Sequence, residues 1–259
     1  MVKGLYSAYT GMIQQEKRMD TLTNNLANAN TNGYKKEGVT SKSFDDVLTF
    51  KIKDSSVGYN TARNIGHNNP GVKIGEGYTD FSQGPIKETG NPFDLALTDK
   101  GFFAIEFTDK AGNTSVKYTR DGNFTMDIDG YIRTQDGDYV LNEEGLHAHI
   151  DPTAAKNEIN ILGQVIQDGV DVETLMITDF EDYNYLKRYG ENLFEAVDGA
   201  VETTPAAKVY AGFLETSNIS VVSEMVDMIA LSRAYETNQK VITTIDGSLE
   251  IASTQIGKV

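Results

Sequence analysis

The chain contains no cysteine and no tryptophan among its 259 residues. The absence of cysteine excludes disulfides, zinc–thiolate sites and cysteine nucleophiles. No apolar run approaches the roughly 18 residues that a membrane-spanning helix needs. Polar residues such as Ser7, Thr10 and Gln14 interrupt the first segment, so we expect no cleaved secretory signal. A cysteine-free chain fits a cytosolic protein, and it fits equally a protein that is exported unfolded.

Basic residues are also scarce. The chain carries 23 Lys and Arg against 38 Asp and Glu, a formal net charge of −15 at pH 7. Residues 1–53 are the exception, with eight basic against five acidic side chains. A nucleic-acid-binding protein needs a basic surface, so the acidic composition argues against that class and favours a solvated acidic surface.

Apolar residues near the N-terminus recur at alternating steps of three and four, the spacing of a heptad seam on a helix. The seam contains Leu5, Ala8, Met12, Gln15, Met19, Leu22, Leu26 and Ala29. A helix of about 25 residues would be about 38 Å long. The alternative is an ordinary amphipathic helix that packs on the rest of the chain.

The C-terminal segment carries a second seam with the same spacing. Its members are Val221, Met225, Met228, Ser232, Tyr235, Gln239, Ile242, Ile245, Leu249, Ala252 and Ile256. Asn218 and Ser220 precede it and are suited to accept hydrogen bonds from the first free N–H groups of a helix. Two seams at opposite ends of one chain favour pairing with each other, or with copies in neighbouring subunits.

Between the seams, the pattern changes to short β-rich runs separated by glycine turns. Turns are predicted at 111–113, 121–123, 129–130 and 136–138. Strands are predicted at 102–105, 116–119, 139–141, 159–162, 175–180 and 209–214. Residues 54–90 are rich in glycine and predict extended chain with one long irregular hairpin at most.

The fold class is therefore mixed α and β: two terminal heptad helices in a coiled-coil layer, an extended connector and a central all-β domain. We assign 1–33 and 215–259 to the helical coiled-coil domain, 34–71 to the connector and 72–214 to the all-β domain.

Catalytic patterns are weak. His147 and His149 would share one face of a strand, but no third metal ligand follows at a diagnostic spacing. The stretch 127–130 resembles the start of a calcium loop, and 66–73 resembles a P-loop; both fail at the required positions. We predict no catalytic residue, no metal site and no cofactor. The rival from another class is a carbohydrate-active or metal-dependent enzyme that uses the acidic β domain.

Three stretches together resemble the bacterial flagellar rod and hook protein family. They are MDTLTNNLANANTNGYKK near the N-terminus, GNPFDLALTDKGFFAI with YTRDGNFTMDIDGYIRTQDGDYVL in the middle, and GFLETSNISVVSEMVDMIALSRAYETNQKVI near the C-terminus. These matches cover most of the chain in the family's order. Only the connector and parts of 145–208 match loosely.

The resemblance implies a structural protein rather than an enzyme. Members of this family leave the cell through the flagellar type III export apparatus without a cleaved signal. They form a helical tube with the terminal helices inside and the β domain outside. Length and connector resemble the distal rod of the basal body most; a proximal-rod paralogue or a short hook-type protein is the alternative. The implied partners are further copies of the chain, proximal rod proteins and hook proteins.

Assembly is therefore expected to depend on the two seams and the asparagine tract. On the N-terminal helix the residues are Leu5, Met12, Met19, Leu22, Asn24, Asn25, Leu26 and Asn28. On the C-terminal helix they are Val221, Met225, Met228, Tyr235, Ile242, Ile245 and Leu249. We expect the asparagine amides to bond between subunits, Gly33 to stop the helix in a left-handed conformation, and Lys35 and Lys36 to complement the helix dipole.

Overall fold

The computed structural model describes residues 2–51, 63–154 and 156–256. The chain forms two compact units. The first, here called the helix-and-ribbon unit, contains the described residues of Met1–Leu26, Glu37–Asp80 and Ser220–Val259. The second, the β-rich unit, contains Ala27–Lys36 and Phe81–Ile219. Each is described by itself below.

The helix-and-ribbon unit has one helix from each end of the chain and four strands. Its helices are α1 (Val2–Ala27) and α2 (Val221–Ile251), and a π-helical turn (Ala252–Ile256) continues α2. Its strands are β1 (Glu37–Ser43), β2 (Val47–Lys51), β3 (Arg63–Asn68) and β4 (Val72–Thr79). Ser220 is the N-cap of α2, but its side chain makes no capping hydrogen bond, contrary to the prediction.

The four strands form a nested antiparallel ribbon. β1 pairs with β4 from Glu37↔Thr79 to Ser43↔Val72, and β2 pairs with β3 from Val47↔Asn68 to Lys51↔Arg63. Both pairings contain a register shift, which increases the local twist. The stretch predicted as connector, 34–71, thus contains β1, β2 and β3, whereas residues 52–62 lie outside the described residues. Because β1 pairs with β4, the ribbon extends beyond the predicted boundary at residue 72.

The described residues of the β-rich unit form sixteen short strands. They are β5 (Ile86–Glu88), β6 (Leu95–Thr98), β7 (Phe102–Thr108), β8 (Thr114–Thr119), β9 (Phe124–Met126), β10 (Ile132–Thr134), β11 (Tyr139–Val140), β12 (Asn157–Ile159), β13 (Gln164–Gln167), β14 (Val170–Thr174), β15 (Ile177–Phe180), β16 (Leu186–Tyr189), β17 (Leu193–Ala196), β18 (Glu202–Thr203), β19 (Lys208–Ala211) and β20 (Phe213–Glu215). A 3₁₀ turn (Tyr183–Tyr185) precedes β16.

The largest sheet of this unit is built around β7. Its order is β16-β17-β8-β7-β11-β10-β9; β15 also pairs with β7, and β18 pairs with β15. Smaller sheets pair β12-β13-β14, β19 with β6, and β20 with β5. The predicted turns at 111–113, 129–130 and 136–138 close hairpins, with the hydrogen bonds Asp109 N to Asn113 O, Asp127 N to Tyr131 O and Thr134 N to Asp138 O.

The burial of both faces of β7 explains why its first four residues, 102–105, are all apolar. Phe103 and Ile105 pack into one core, with Phe124 and Leu175 among its members. Phe102 and Ala104 point to the opposite face and pack in a second core with Phe180 and Phe194. A strand that is buried on both faces cannot alternate between apolar and polar residues.

Two predicted strands differ from the structure. Residues 160–163 form the turn between β12 and β13, closed by hydrogen bonds from Asn160 N to Gln164 O and from Gly163 N to Asn160 O. The predicted strand 209–214 is divided into β19 and β20 at Gly212, which has φ +83°. With a helix at each end and a β-rich centre, the chain is a mixed α and β protein.

Candidate assembly surfaces

The asparagine tract contains one side chain that is completely buried. Asn25 is 0% exposed, and its amide pairs with both backbone groups of Glu37 at the start of β1. Its Nδ2 donates to Glu37 O at 2.8 Å, and its Oδ1 accepts from Glu37 N at 3.0 Å. Asn25 therefore fixes α1 to the ribbon of its own chain, whereas the sequence analysis expected its amide to bond between subunits.

The same side of α1 makes further polar contacts with the ribbon. Gln14 is buried and donates from Nε2 to Ser41 Oγ at 2.7 Å. Gly71 has φ +124°, and a Cβ there would lie only 2.1 Å from Thr10 Oγ1. Hence α1 lies against its ribbon through a polar stripe, and that stripe is distinct from the apolar seam.

The two terminal helices lie side by side in opposite directions. A Cβ at Gly4 would lie 3.7 Å from Ile245 Cδ1, and a Cβ at Gly11 would lie 3.0 Å from Asn238 Nδ2. Near the other end of α1, Asn25 Nδ2 lies 3.5 Å from Glu224 Oε2. Contacts that advance along α1 while they go back along α2 define an antiparallel pair, and the predicted seam residue Ile245 takes part in it.

The predicted seam on α1 is only half-buried in the single chain. The partly buried members are Leu5, Met12, Met19, Leu22 and Leu26, whereas Ala8 is buried. On α2 the partly buried predicted residues are Met228, Tyr235, Ile242 and Ile245, and the exposed ones are Val221, Met225 and Leu249. Asn24 is exposed and Asn28 is half-buried.

A second apolar stripe, which the sequence analysis missed, is exposed on α2. Val222, Val226 and Ile229 have 72%, 59% and 55% of their surface exposed. Their spacing of four and three residues is typical of one helix face and could have predicted the stripe. The prediction was instead based on the longer seam beside it. On α1 the exposed apolar side chains beside the seam are Tyr6, Tyr9 and Ile13.

The helix end at the asparagine tract also differs from the prediction. α1 ends at Ala27, well before Gly33, and turns occupy the residues in between. Gly33 does have the predicted positive φ, +66°, but for another reason: a Cβ there would lie 2.4 Å from Asp121 N. Lys35 is likewise not a solvated partner of the helix dipole, because it is 1% exposed and ion-paired with Glu215 at 2.6 Å.

Comparisons with known proteins all indicate the same protein family. The model "Flagella basal body rod protein" matches residues 5–35, "Flagellar hook protein FlgE/F/G D1 domain" matches 96–167, and "Flagellar basal body rod FlgEFG protein C-terminal" matches 210–255. A flagellar basal-body rod protein FlgG of Agrobacterium fabrum is 33% identical, over 97% of this chain and 98% of the relative. The chain belongs to the flagellar basal-body rod protein family.

Other relatives extend the comparison. The flagellar basal-body rod protein FlgF of Caulobacter vibrioides is 28% identical, and the flagellar hook-basal body complex protein FlhO of Bacillus subtilis is 31% identical. Both alignments cover 100% of this chain and 100% of the relative. The rod family is structural and is located in the flagellar basal body, where its members assemble with other rod and hook components. Among the described residues of this rod-family chain, no helix is both long and apolar enough to cross a membrane.

The two histidines that were considered as candidate metal ligands make other contacts in this rod-family chain. His147 Nε2 lies 3.2 Å from Glu106 Oε1, and the ring stacks on Tyr139 at 4.2 Å between centroids. His149 Nε2 lies 3.1 Å from the carbonyl oxygen of Asp129. Within the described parts of the chain, no group of three or more His, Asp or Glu side chains has the arrangement of a metal site.

One carboxyl group of the β-rich unit has an unusual acidity. Burial raises the pKa of Asp121 to about 6, with smaller contributions from the charges of Asp136 and Asp94. Hydrogen bonds oppose this rise in pKa: Asn123 N donates to Oδ1 at 3.0 Å, and Asn192 Nδ2 donates to Oδ2 at 2.9 Å. Both oxygens are thus used in holding the loop before β9. This structural role accounts for the burial without a catalytic function.

Proposed function

We propose that this rod-family chain is a subunit of the distal rod, which assembles with copies of itself into a helical tube. The tube transmits torque and encloses the export channel, and it contacts proximal rod and hook proteins at its two ends. The subunit reaches its site through the flagellar type III export apparatus without a cleaved signal.

One observation carries the self-assembly part of the proposal. In the described residues of the helix-and-ribbon unit, the buried apolar side chains are Ala8 and Leu231. A pair of helices with so small a core is stabilised mainly by packing against other surfaces. The exposed stripe on α2 and the half-buried seam on α1 offer such surfaces, and identical neighbouring subunits present matching ones.

The distal position is supported by the length of the chain and by the long ribbon between α1 and the β-rich unit in sequence. The second candidate, a proximal rod subunit, is favoured by the full-length alignment with the FlgF relative. A cryo-electron-microscopy map of basal bodies that carry a tagged version of the chain separates the two. Tag density next to the hook supports the distal assignment, and density next to the export apparatus supports the proximal one.

The test of self-assembly compares two adjacent positions on α1. Leu22→Asp places a carboxylate on the half-buried seam, whereas Thr23→Asp places the same group at an exposed position. Burial of a leucine side chain contributes about 1.5–3 kcal/mol, and an unpaired buried carboxylate is unfavourable by more. Because this penalty recurs at every subunit, Leu22→Asp should abolish motility and sedimentable polymer, and Thr23→Asp should retain both. Equal assembly by the two variants would refute the seam.

A further inference from the structure

A buried ion cluster joins two segments of the β-rich unit that are far apart in sequence. Glu215, at the end of β20, is 1% exposed. Its Oε1 accepts from Lys35 Nζ at 2.6 Å and from Gly84 N at 2.8 Å. Its Oε2 lies 3.3 Å from Arg120 Nη1. One carboxylate thus holds the N-terminal segment 33–36, a loop before β5 and the end of β8.

Further hydrogen bonds around the carboxylate, from the backbone and from the Asn218 side chain, connect the same two segments. Gly33 N donates to the carbonyl oxygen of Glu215 at 2.8 Å. Asn218 Oδ1 accepts from Lys36 N at 2.8 Å, while its Nδ2 donates to Ser82 Oγ at 3.0 Å. Segment 33–36 follows the end of α1, and segment 215–218 precedes α2. The segment that follows α1 and the segment that precedes α2 are therefore held by one another.

The cluster is also closed to water. The Lys35 and Glu215 side chains are each 1% exposed, and that of Arg120 is 3% exposed. Arg120 Nη2 donates to Asp99 O at 2.6 Å, but its Nε has no hydrogen-bond partner among the described atoms. Glu215 is therefore the carboxylate that compensates the Arg120 guanidinium.

A buried ion cluster is cooperative in an asymmetric way. When one partner is removed, the remaining charges stay buried without compensation, which is far more unfavourable than the absence of the whole cluster. A fully satisfied network is rigid, whereas a partly satisfied one is unstable. If the Glu215 carboxylate is neutralised, the buried Lys35 and Arg120 charges lose an anionic acceptor, although Lys35 Nζ still donates to Ser82 O at 2.8 Å. Segment 33–36 keeps the bond from Gly33 N to the carbonyl oxygen of Glu215 only while residue 215 stays in place.

We propose that Glu215, Lys35 and Arg120 are positioning residues that make the order of segment 33–36 depend on segment 215–218. The two segments that lead to the terminal helices are then fixed to the β-rich unit together or not at all. The cluster is complete only when both segments are in place, so the ordered state of this unit requires residue 215 as well as residue 35. This inference concerns the single chain and does not rest on the proposed assembly.

Amide hydrogen exchange on the full chain, at a concentration where it is monomeric, tests the inference. Glu215→Gln keeps an acceptor but removes the charge. It should raise exchange at Gly33 and Lys36 by more than about tenfold, although both lie far from the substitution in sequence. Lys35→Met should conversely raise exchange at Thr216, whose N–H donates to Pro85 O at 2.9 Å.

Lys117→Met is the matched control. It breaks another close ion pair of the same unit, Lys117 Nζ to Glu195 Oε1 at 2.6 Å, which does not touch either segment. Exchange in both segments should stay at the level of the unchanged chain. The amides of β7 report whether each variant has folded. If the Glu215→Gln variant has not folded, amide exchange in the Lys35→Met variant alone tests the proposal.

The double variant separates coupling from two local effects. With Lys35→Met and Glu215→Gln together, exchange at Gly33 should be no faster than with Glu215→Gln alone, because the two substitutions remove one shared interaction. Effects that multiply would overturn the proposal. It would also be overturned if Glu215→Gln loosened 213–218 and left 33–36 protected.

Discussion

The two compact units of this chain are stabilised by different means. The β-rich unit contains two apolar cores on opposite faces of β7, whereas the buried apolar residues described in the helix-and-ribbon unit are Ala8 and Leu231. The two units also differ in their net charge. The β-rich unit carries 12 basic and 25 acidic residues, and the other unit carries 11 and 13.

This difference separates folding from assembly. The β-rich unit buries two apolar cores, and its net charge of −13 opposes close approach between copies of this unit. The helix-and-ribbon unit is nearly neutral, at −2, and exposes apolar helix faces that can approach copies of themselves. A rod subunit needs both properties in one chain.

The largest expected effect is on the core of the β-rich unit. Phe103→Ala removes a fully buried ring, so the free energy of unfolding should fall by about 3–5 kcal/mol. Leu231→Ala, in the other unit, should leave the main thermal transition unchanged, because that transition reports the β-rich cores. Circular dichroism melts of both variants measure this contrast. A comparable decrease in the melting temperature of Leu231→Ala would show that the helix-and-ribbon unit contributes as much to the main transition as the β-rich cores do.

A smaller effect is expected from Asp121. Its pKa in the folded chain, about 6, lies above the reference value of 3.8, so the folded state binds this proton more tightly than the unfolded state does. The contribution of Asp121 to stability is therefore greatest below about pH 4 and declines as the pH rises through 6. Asp121→Asn should remove this decline, so the stability of the variant relative to the unchanged chain should increase by about 2 kcal/mol from pH 4 to pH 7. Because Asn offers one acceptor oxygen where the carboxylate uses two, the variant loses one hydrogen bond at both pH values.

Urea unfolding of both proteins at pH 4 and pH 7 measures this pH dependence. The stability of the variant relative to the unchanged chain should be higher at pH 7 than at pH 4. A relative stability that is equal at both pH values would mean that burial does not raise the pKa of Asp121. Asp136→Asn is a control, since it removes a nearby charge but keeps the Asp121 carboxyl.

The smallest effect on the monomer is expected on the exposed stripe of α2. Ile229 is 55% exposed, so Ile229→Asp should change the free energy of unfolding of the single chain by less than about 0.5 kcal/mol. The same substitution should prevent polymer formation if this stripe is covered by a neighbouring subunit. Thr237→Asp, at another exposed position of α2, is the control. Normal sedimentation of Ile229→Asp would show that the stripe remains uncovered in the polymer.

Local patterns made much of the fold predictable. The heptad spacing predicted both helices, and the glycine turns predicted hairpins such as the one at Asp129-Gly130, because both signals lie within a few residues. The errors have local causes too. Ile161 and Leu162 have high β-propensity but are exposed in a turn, and Gly212 divides a run that otherwise looks like one strand.

Contacts between distant segments were not predictable from one sequence. The pairing of β1 with β4 joins residues from 42 positions apart, Glu37 and Thr79, to 29 positions apart, Ser43 and Val72, and nothing in the local pattern of either strand specifies the other. Likewise, Lys35 reads as a surface residue until Glu215 is placed beside it. The same holds for Asn25, whose partner is a backbone that any sequence would supply.

The Asn25 amide uses its donor and its acceptor on the two backbone groups of one residue, as a residue of a neighbouring antiparallel strand would. Each residue of an α-helix is rotated by about 100° from the one before it. A shift of one position at this contact would therefore turn every side chain of α1 away from its present direction. Together with the Gln14 contact to Ser41, the Asn25 amide therefore fixes the azimuth of α1, and with it which side chains of the helix face away from the ribbon.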